Sequence, residues 1–137
     1  MVKLYPYLNF SGNAQEALDF YKGALDGEII MLTRYGESPM PCDDDWKQKI
    51  MHARILFGDD NLFMISDTMK GNQVTTYGNI QLSIGLEDEE MTREIFDRLA
   101  AGGQVIMPLA KQFWGDLFGM CKDKFGISWM LNCTPKK

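Results

Sequence analysis

Residues 2–10, VKLYPYLNF, show partial alternation of polar and apolar positions, and the period changes directly afterwards. In SGNAQEALDFYKGALDG the apolar positions Ala14, Ala17, Leu18, Tyr21, Ala24 and Leu25 fall three and four apart, as on a helix with one buried stripe. Asn13 is placed to cap this helix, Glu16 three residues on would complete a capping box, and Gly27 stands past the last turn, where a left-handed residue is wanted. EIIMLTRY (28–35) then reads as a strand and ESPMPCDDDWKQ as a long polar loop. IMHARILF (50–57) and LFMISD (62–67) form two further strands joined across Gly58, Asp59, Asp60 and Asn61. The order is β-α-β-β-β.

The order starts again after a connector at 68–78. NIQLSIGL (79–86) is strand-like, EDEEMTREIFDRLAAGG (87–103) is a helix with Asp88 as its cap, and QVIMP (104–108) is a strand. LFGMCKD (117–123) and ISWMLNC (127–133) make a hairpin across Asp123 to Gly126, and TPKK is a frayed tail. Phe20 and Phe96 lie 76 residues apart, as do Gly27 and Gly103, so both helix ends keep one register; the hairpin turns at 58 and 123 are closer because the first half carries the longer loop. A module of this kind has a sheet with an apolar face to bury. The expectation is one α+β domain, 1–137, of two βαβββ modules at about 2–67 and 79–133.

Composition narrows the class. The chain has 137 residues, 45% of them hydrophobic, enough for an ordinary core, and a net charge of −5 that speaks against the clustered Lys and Arg of nucleic-acid binding. MVKLYPYLNF lacks the apolar run of a signal peptide, and no later segment approaches a membrane span, so no membrane partner and a cytoplasmic location are expected. Cys42, Cys121 and Cys133 form no C-x-x-C pair; packing thiols are expected rather than disulfides or a zinc knuckle.

YLNFSGNAQEALDFYKGALDGE, MHARILFGDDNLFMISD and FWGDLFGMCKDKFGISWMLN together resemble the PhnB-like branch of the vicinal oxygen chelate superfamily, which includes glyoxalase I, bleomycin-resistance proteins and extradiol dioxygenases. The resemblance covers essentially the whole chain. It implies curved mixed sheets forming a cleft between the two modules, often completed by a second chain, so a homodimer is expected. Some members carry a demethylubiquinone methyltransferase label, yet no glycine-rich nucleotide turn follows the first strand here. In metal-bearing relatives the ligands stand on the first and last strands of each module. The corresponding positions here offer Tyr5, Tyr7 or Asn9, Met64 or Ser66, Asn79 or Gln81, and Met130 at the usual terminal Glu. Thioethers and neutral amides suit hard divalent ions poorly, so no metal and no cofactor are expected.

His52, the single histidine, is either a general base or ligand, or a hydrogen-bonded strand residue. The Asp43–Asp45 run lacks the alternation of a calcium loop and reads as a surface loop. Trp114, Phe118, Phe125 and Trp129, with Gly115 and Gly119 among them, could wall a pocket or fill a core, and Met64, Met107, Met120 and Met130 suggest an adaptable interior. The expected function is metal-independent binding of a small molecule, with Tyr7, Asn9, His52, Gln81, Trp114, Phe118 and Trp129 as ligand-binding candidates; the acidic balance suits cationic compounds. The alternative is a glyoxalase-like or dioxygenase-like enzyme with a displaced site, for which His52, Asp67 and Tyr7 are the catalytic candidates.

Overall fold

The computed structural model describes residues 2–75 and 79–136, and the last three residues of the expected connector, 76–78, lie outside them. The chain divides into two compact units, Met1–Thr75 and Thr76–Lys137. Unit 1 runs β1 (Tyr7–Phe10), α1 (Ala14–Leu25), β2 (Glu28–Arg34), β3 (Ile50–Phe57) and β4 (Asn61–Asp67), in the sheet order β1-β4-β3-β2. Unit 2 repeats it with β5 (Leu82–Leu86), α2 (Glu89–Ala100), β6 (Gln104–Lys111), β7 (Leu117–Lys122) and β8 (Ser128–Cys133), in the order β5-β8-β7-β6. Each sheet is mixed: its first strand pairs in parallel with its last and the other pairs are antiparallel. Among the described residues no helix is long and apolar enough to cross a membrane.

Each helix covers one face of its own sheet. Leu18, Tyr21 and Leu25 of α1 are buried along with Ala53, Ile55, Phe63 and Ile65, and Leu99 and Phe96 of α2 along with Leu117, Cys121, Trp129 and Leu131. Burying each large side chain contributes about 1.5–3 kcal/mol. No methionine belongs to either core among the described residues, which corrects the expectation of a methionine-rich interior: Met64, Met107, Met120 and Met130 are partly exposed. Alternation along the strands places Met64, Met120 and Met130 on the faces opposite the helices.

Three local expectations change. The first strand begins at Tyr7 rather than residue 2. Asn13 makes no side-chain capping bond, and the buried carboxylate of Asp67 does that work: its Oδ1 accepts from the N–H of Gly12 (2.9 Å) and Ala14 (2.9 Å), while Oδ2 accepts from Ile50 N–H (3.0 Å). The left-handed residue ending α1 is Asp26, with φ 51°. Gly27 is needed for a different reason, since a Cβ there would press on the Ile55 side chain at 3.0 Å and on Leu56 O at 3.2 Å. Its repeat mate Gly103 is under the same constraint, because a Cβ would overlap the carbonyl oxygen of Lys122. Asp88 does cap α2, accepting from Met91 N–H at 3.0 Å.

The repeat extends to an irregularity. On β2 the pairing steps from Ile29–Ile55 to Met31–Arg54, leaving Ile30 as an extra residue; on β6 it steps from Val105–Cys121 to Met107–Met120, leaving Ile106 extra. The two bulges are 76 residues apart. Both strands are outermost in their sheets and expose consecutive apolar side chains, Ile30, Met31 and Leu32 on one and Val105, Ile106 and Met107 on the other.

Candidate functional site

Tyr7, Asn9, His52, Arg54, Met64 and Ser66 share the face of the unit 1 sheet that α1 does not cover, since Tyr7 pairs with Met64, Asn9 with Ser66 and Arg54 with Met64. Three of these side chains form a chain of hydrogen bonds. Arg54 Nε–H donates to His52 Nε2 at 3.1 Å, and His52 Nδ1 lies 3.0 Å from the Tyr7 hydroxyl. Because Nε2 accepts, the one proton of the neutral ring belongs on Nδ1, where it is donated to Tyr7 Oη, and the tyrosine's own O–H is left to donate elsewhere. The partly buried ring makes this arrangement consistent: burial, and after it the Arg54 charge, hold the His52 pKa below the ordinary imidazole value.

The titration of His52 checks this geometry. Its Hε1 proton resonance should move with a midpoint below 6.5, and Arg54→Gln should raise that midpoint without restoring it fully, because burial persists. Between the folded midpoint and about 6.5 the unfolded chain binds more protons, so this group makes stability rise with pH across that window and level off above it. A wild-type midpoint at or above 6.5 would contradict the arrangement.

Unit 1 also holds a cavity of about 400 Å³, walled mainly by Tyr35, Met40, Cys42, Trp46, Met51 and Met69, with Asp43 and Lys70 at its wall as well. The bulge between Thr33–His52 and Arg34–Ile50 makes Met51 the extra residue of β3, placing it in the cavity wall beside His52 in the chain. The loop that covers the cavity is pinned at both ends. Tyr35 N–H donates to Lys49 O (3.0 Å), the Trp46 indole N–H to Thr68 O (3.1 Å) and the Tyr35 hydroxyl to Asp67 O (2.7 Å). Burial, with smaller contributions from Asp67 and Tyr7, raises the Tyr35 pKa and keeps that hydroxyl a donor. Asp43 and Asp45 meet Lys70 at 3.2 and 2.8 Å and Asp44 meets Lys47 at 2.8 Å, so the acidic run is matched by lysines rather than arranged around a cation.

The sequence candidates separate in space. His52 and Tyr7 come together, and Asn9 stands exposed on the same face. The Asp67 carboxylate does not join them, because three backbone N–H groups hold it inside the fold at the start of α1. Gln81 is exposed one step before β5. Phe118 pairs with Asn132 and Trp129 with Cys121, so these two aromatics point to opposite faces of the unit 2 sheet. Trp129 is 2% exposed and its indole N–H donates to Asp123 Oδ2 at 2.8 Å, so as placed it is a core residue rather than a pocket wall. Trp114 is half-exposed, edge-on to Phe113 and Phe118. Gly119 brings its backbone against Leu109, a neighbour in the fold rather than a ligand. Cys121 and Cys133 are buried, and burial with the nearby Asp123 charge pushes the Cys121 thiol up to about 11; Cys42, by contrast, lies in the cavity wall.

Arg54, Tyr35 and the cavity residues other than Cys42 and Asp43 are not singled out by the sequence. Arg54 was within reach, since a residue two positions from His52 on a strand must share its face. The donors on the family's metal positions are a poor match to a hard ion. Tyr7, Asn9, Met64, Ser66, Gln81 and Met130 are neutral, and the one imidazole has its free nitrogen committed to a guanidinium.

A sequence family described as 3-demethylubiquinone-9 3-methyltransferase matches residues 2–132. The chain belongs to this family. A similar fold, with a TM-score of 0.88 and 37% identity, is that of protein PA1353 from Pseudomonas aeruginosa, over 99% of this chain and all of that one. The PhnB protein from Bacillus cereus, described as a putative 3-demethylubiquinone-9 3-methyltransferase, is 30% identical with a TM-score of 0.81, over 97% of this chain and 100% of that one. A glyoxylase/bleomycin resistance protein/dioxygenase domain from Frankia sp. EAN1pec shares the fold at 14% identity and a TM-score of 0.70, over 97% of each chain. This PhnB-like protein therefore has the vicinal oxygen chelate fold expected from its motifs.

Proposed function

We propose that this protein binds a small organic molecule in unit 1 without a metal ion. The observation that carries the reading is the cavity of about 400 Å³ lined by aromatic and sulfur-bearing side chains, a size and chemistry usual for sites that hold small ligands. Thioether side chains adapt to varied shapes, and Trp46 and Tyr35 offer flat surfaces to an apolar or aromatic group. The polar Tyr7–His52–Arg54 chain, whose His52 follows the wall residue Met51 on β3, would fix orientation.

The methyltransferase description of the family finds no support in the loop between β1 and α1. That loop is Ser11-Gly12-Asn13, without a G-x-G turn, and the N–H groups of Gly12 and Ala14 that could meet a cofactor are taken by Asp67. An enzyme built on His52 as general base is disfavoured because its lone pair already accepts from Arg54.

Protein labelled with ¹³C at the methionine methyls tests the reading. Titration with indole or quinoline should move the Met40, Met51 and Met69 signals together and saturably, while Met120 and Met130 in unit 2 stay in place. After dialysis against Mn²⁺, the Met64 signal beside Arg54 should remain sharp. No saturable shift up to millimolar probe, or selective broadening of Met64, overturns the proposal.

A further inference from the structure

We infer that the open face of the unit 1 sheet recognises an anionic oxygen group on the bound molecule, through the terminal guanidinium nitrogens of Arg54 and the hydroxyl of Tyr7. This rests on the small-molecule reading above and narrows it to a ligand class: an apolar or aromatic body bearing a carboxylate or phosphate-type group.

Among the described residues Arg54 has no counter-charge: it is half-buried, and no carboxylate pairs with it. Its neighbours across the sheet are Met64 on β4 and Met31 on β2, thioethers that accept hydrogen bonds weakly. Arg34 provides the contrast within the same sheet, with one terminal nitrogen on Gln48 O (2.6 Å) and the other on Gln15 Oε1 (2.8 Å). A guanidinium partly withdrawn from water without an acceptor for its fork is costly, and a two-oxygen anion fits that fork with paired hydrogen bonds.

The neighbouring groups present the same polarity. With the His52 proton on Nδ1 and donated to Tyr7 Oη, the tyrosine O–H can only donate outward. His52 thus acts as a positioning residue: one ring nitrogen orients Arg54 and the other orients Tyr7, and both present donors to the same face. A carboxylate or phosphonate is acceptor-only when ionised and is the natural complement. The chain's charge of −5 suggests cationic ligands, but Tyr7, Asn9, His52, Arg54, Met64 and Ser66 include no carboxylate, and Glu28, which shares the face opposite Leu56, is exposed and forms no ion pair with Arg54.

The test compares four probes with one ring and different heads, benzoate, phenylphosphonate, benzamide and benzylammonium, by NMR titration of the full chain labelled at the methionine methyls and arginine Nε. At least one anion should bind tenfold or more tightly than benzamide and benzylammonium, with the Arg54 Nε–H signal shifting; which anion leads identifies the head group. Arg54→Gln should abolish the preference, Arg54→Lys should keep part of it, and Tyr7→Phe should weaken anion binding several-fold. The methionine spectrum of unit 2 reports whether each variant is folded. If benzamide or benzylammonium matches the anions, or the anion preference survives Arg54→Gln, the inference fails and the binding reading stands. If none of the four binds wild-type protein, both fail.

Discussion

Asp67→Ala should lower folding stability by about 3–5 kcal/mol, because it strips the acceptor from three backbone N–H groups at once. Gly12 and Ala14 lose the partner of the first turn of α1, and Ile50 loses the contact that ties the start of β3 to the end of β4. Asp67→Asn is the sharper probe. Its one oxygen can serve the helix N–H pair, but its amide then turns a donor toward Ile50 N–H, or the reverse, so the substitution should recover only part of the loss. Urea unfolding measures both variants, and a loss under about 1 kcal/mol for Asp67→Ala would show that water or Asn13 replaces the carboxylate readily.

Asp123→Ala should cost about 2–4 kcal/mol by opening the last hairpin. Asp123 Oδ1 accepts from the N–H of Phe125 (2.9 Å) and Ile127 (3.0 Å) across the turn, and Oδ2 from the indole of Trp129. These bonds explain why the stretch DKFGISW holds its aspartate, glycine and tryptophan at that spacing: Gly126 turns with φ 90° and the carboxylate pins the tryptophan into the core. The near-ultraviolet circular dichroism of the tryptophans should weaken along with stability. An unchanged tryptophan signal with full stability would mean that the hairpin stands on its backbone pairing alone.

The sequence rendered well those features set by short-range chemistry. Helical spacing gave both helices, Asp88 was recognised as a cap, and the register of Gly27 with Gly103 marked a repeat that the two sheet orders display. The capping of α1 was misjudged for a physical reason: Asn13 satisfied the local pattern, but the acceptor that the fold uses arrives from 53 residues away. Trp129 reads as either pocket wall or core because composition does not show which face of a strand is covered, whereas its register opposite Cys121 places it under α2. The cavity was illegible for a related reason. Its wall forms only when residues 35–49 fold back and Trp46 reaches Thr68, a tertiary bond that no period along the chain announces. Tyr7 and His52 were legible as residues, but their partner Arg54, which sets the proton's place on the ring, was not noticed.

The extra residues Ile30 and Ile106 bear on how the protein behaves when crowded. An outer strand with exposed, consecutive apolar side chains is a template on which another strand can add, and repetition of that step builds fibres. At each of these edges the bulge throws the row of N–H and C=O groups out of phase partway along, so an added strand can match one half of the edge but not both. Both modules thus carry the same obstacle to runaway sheet growth at the same point of the repeat, and the apolar edges remain available only to surfaces shaped to fit them.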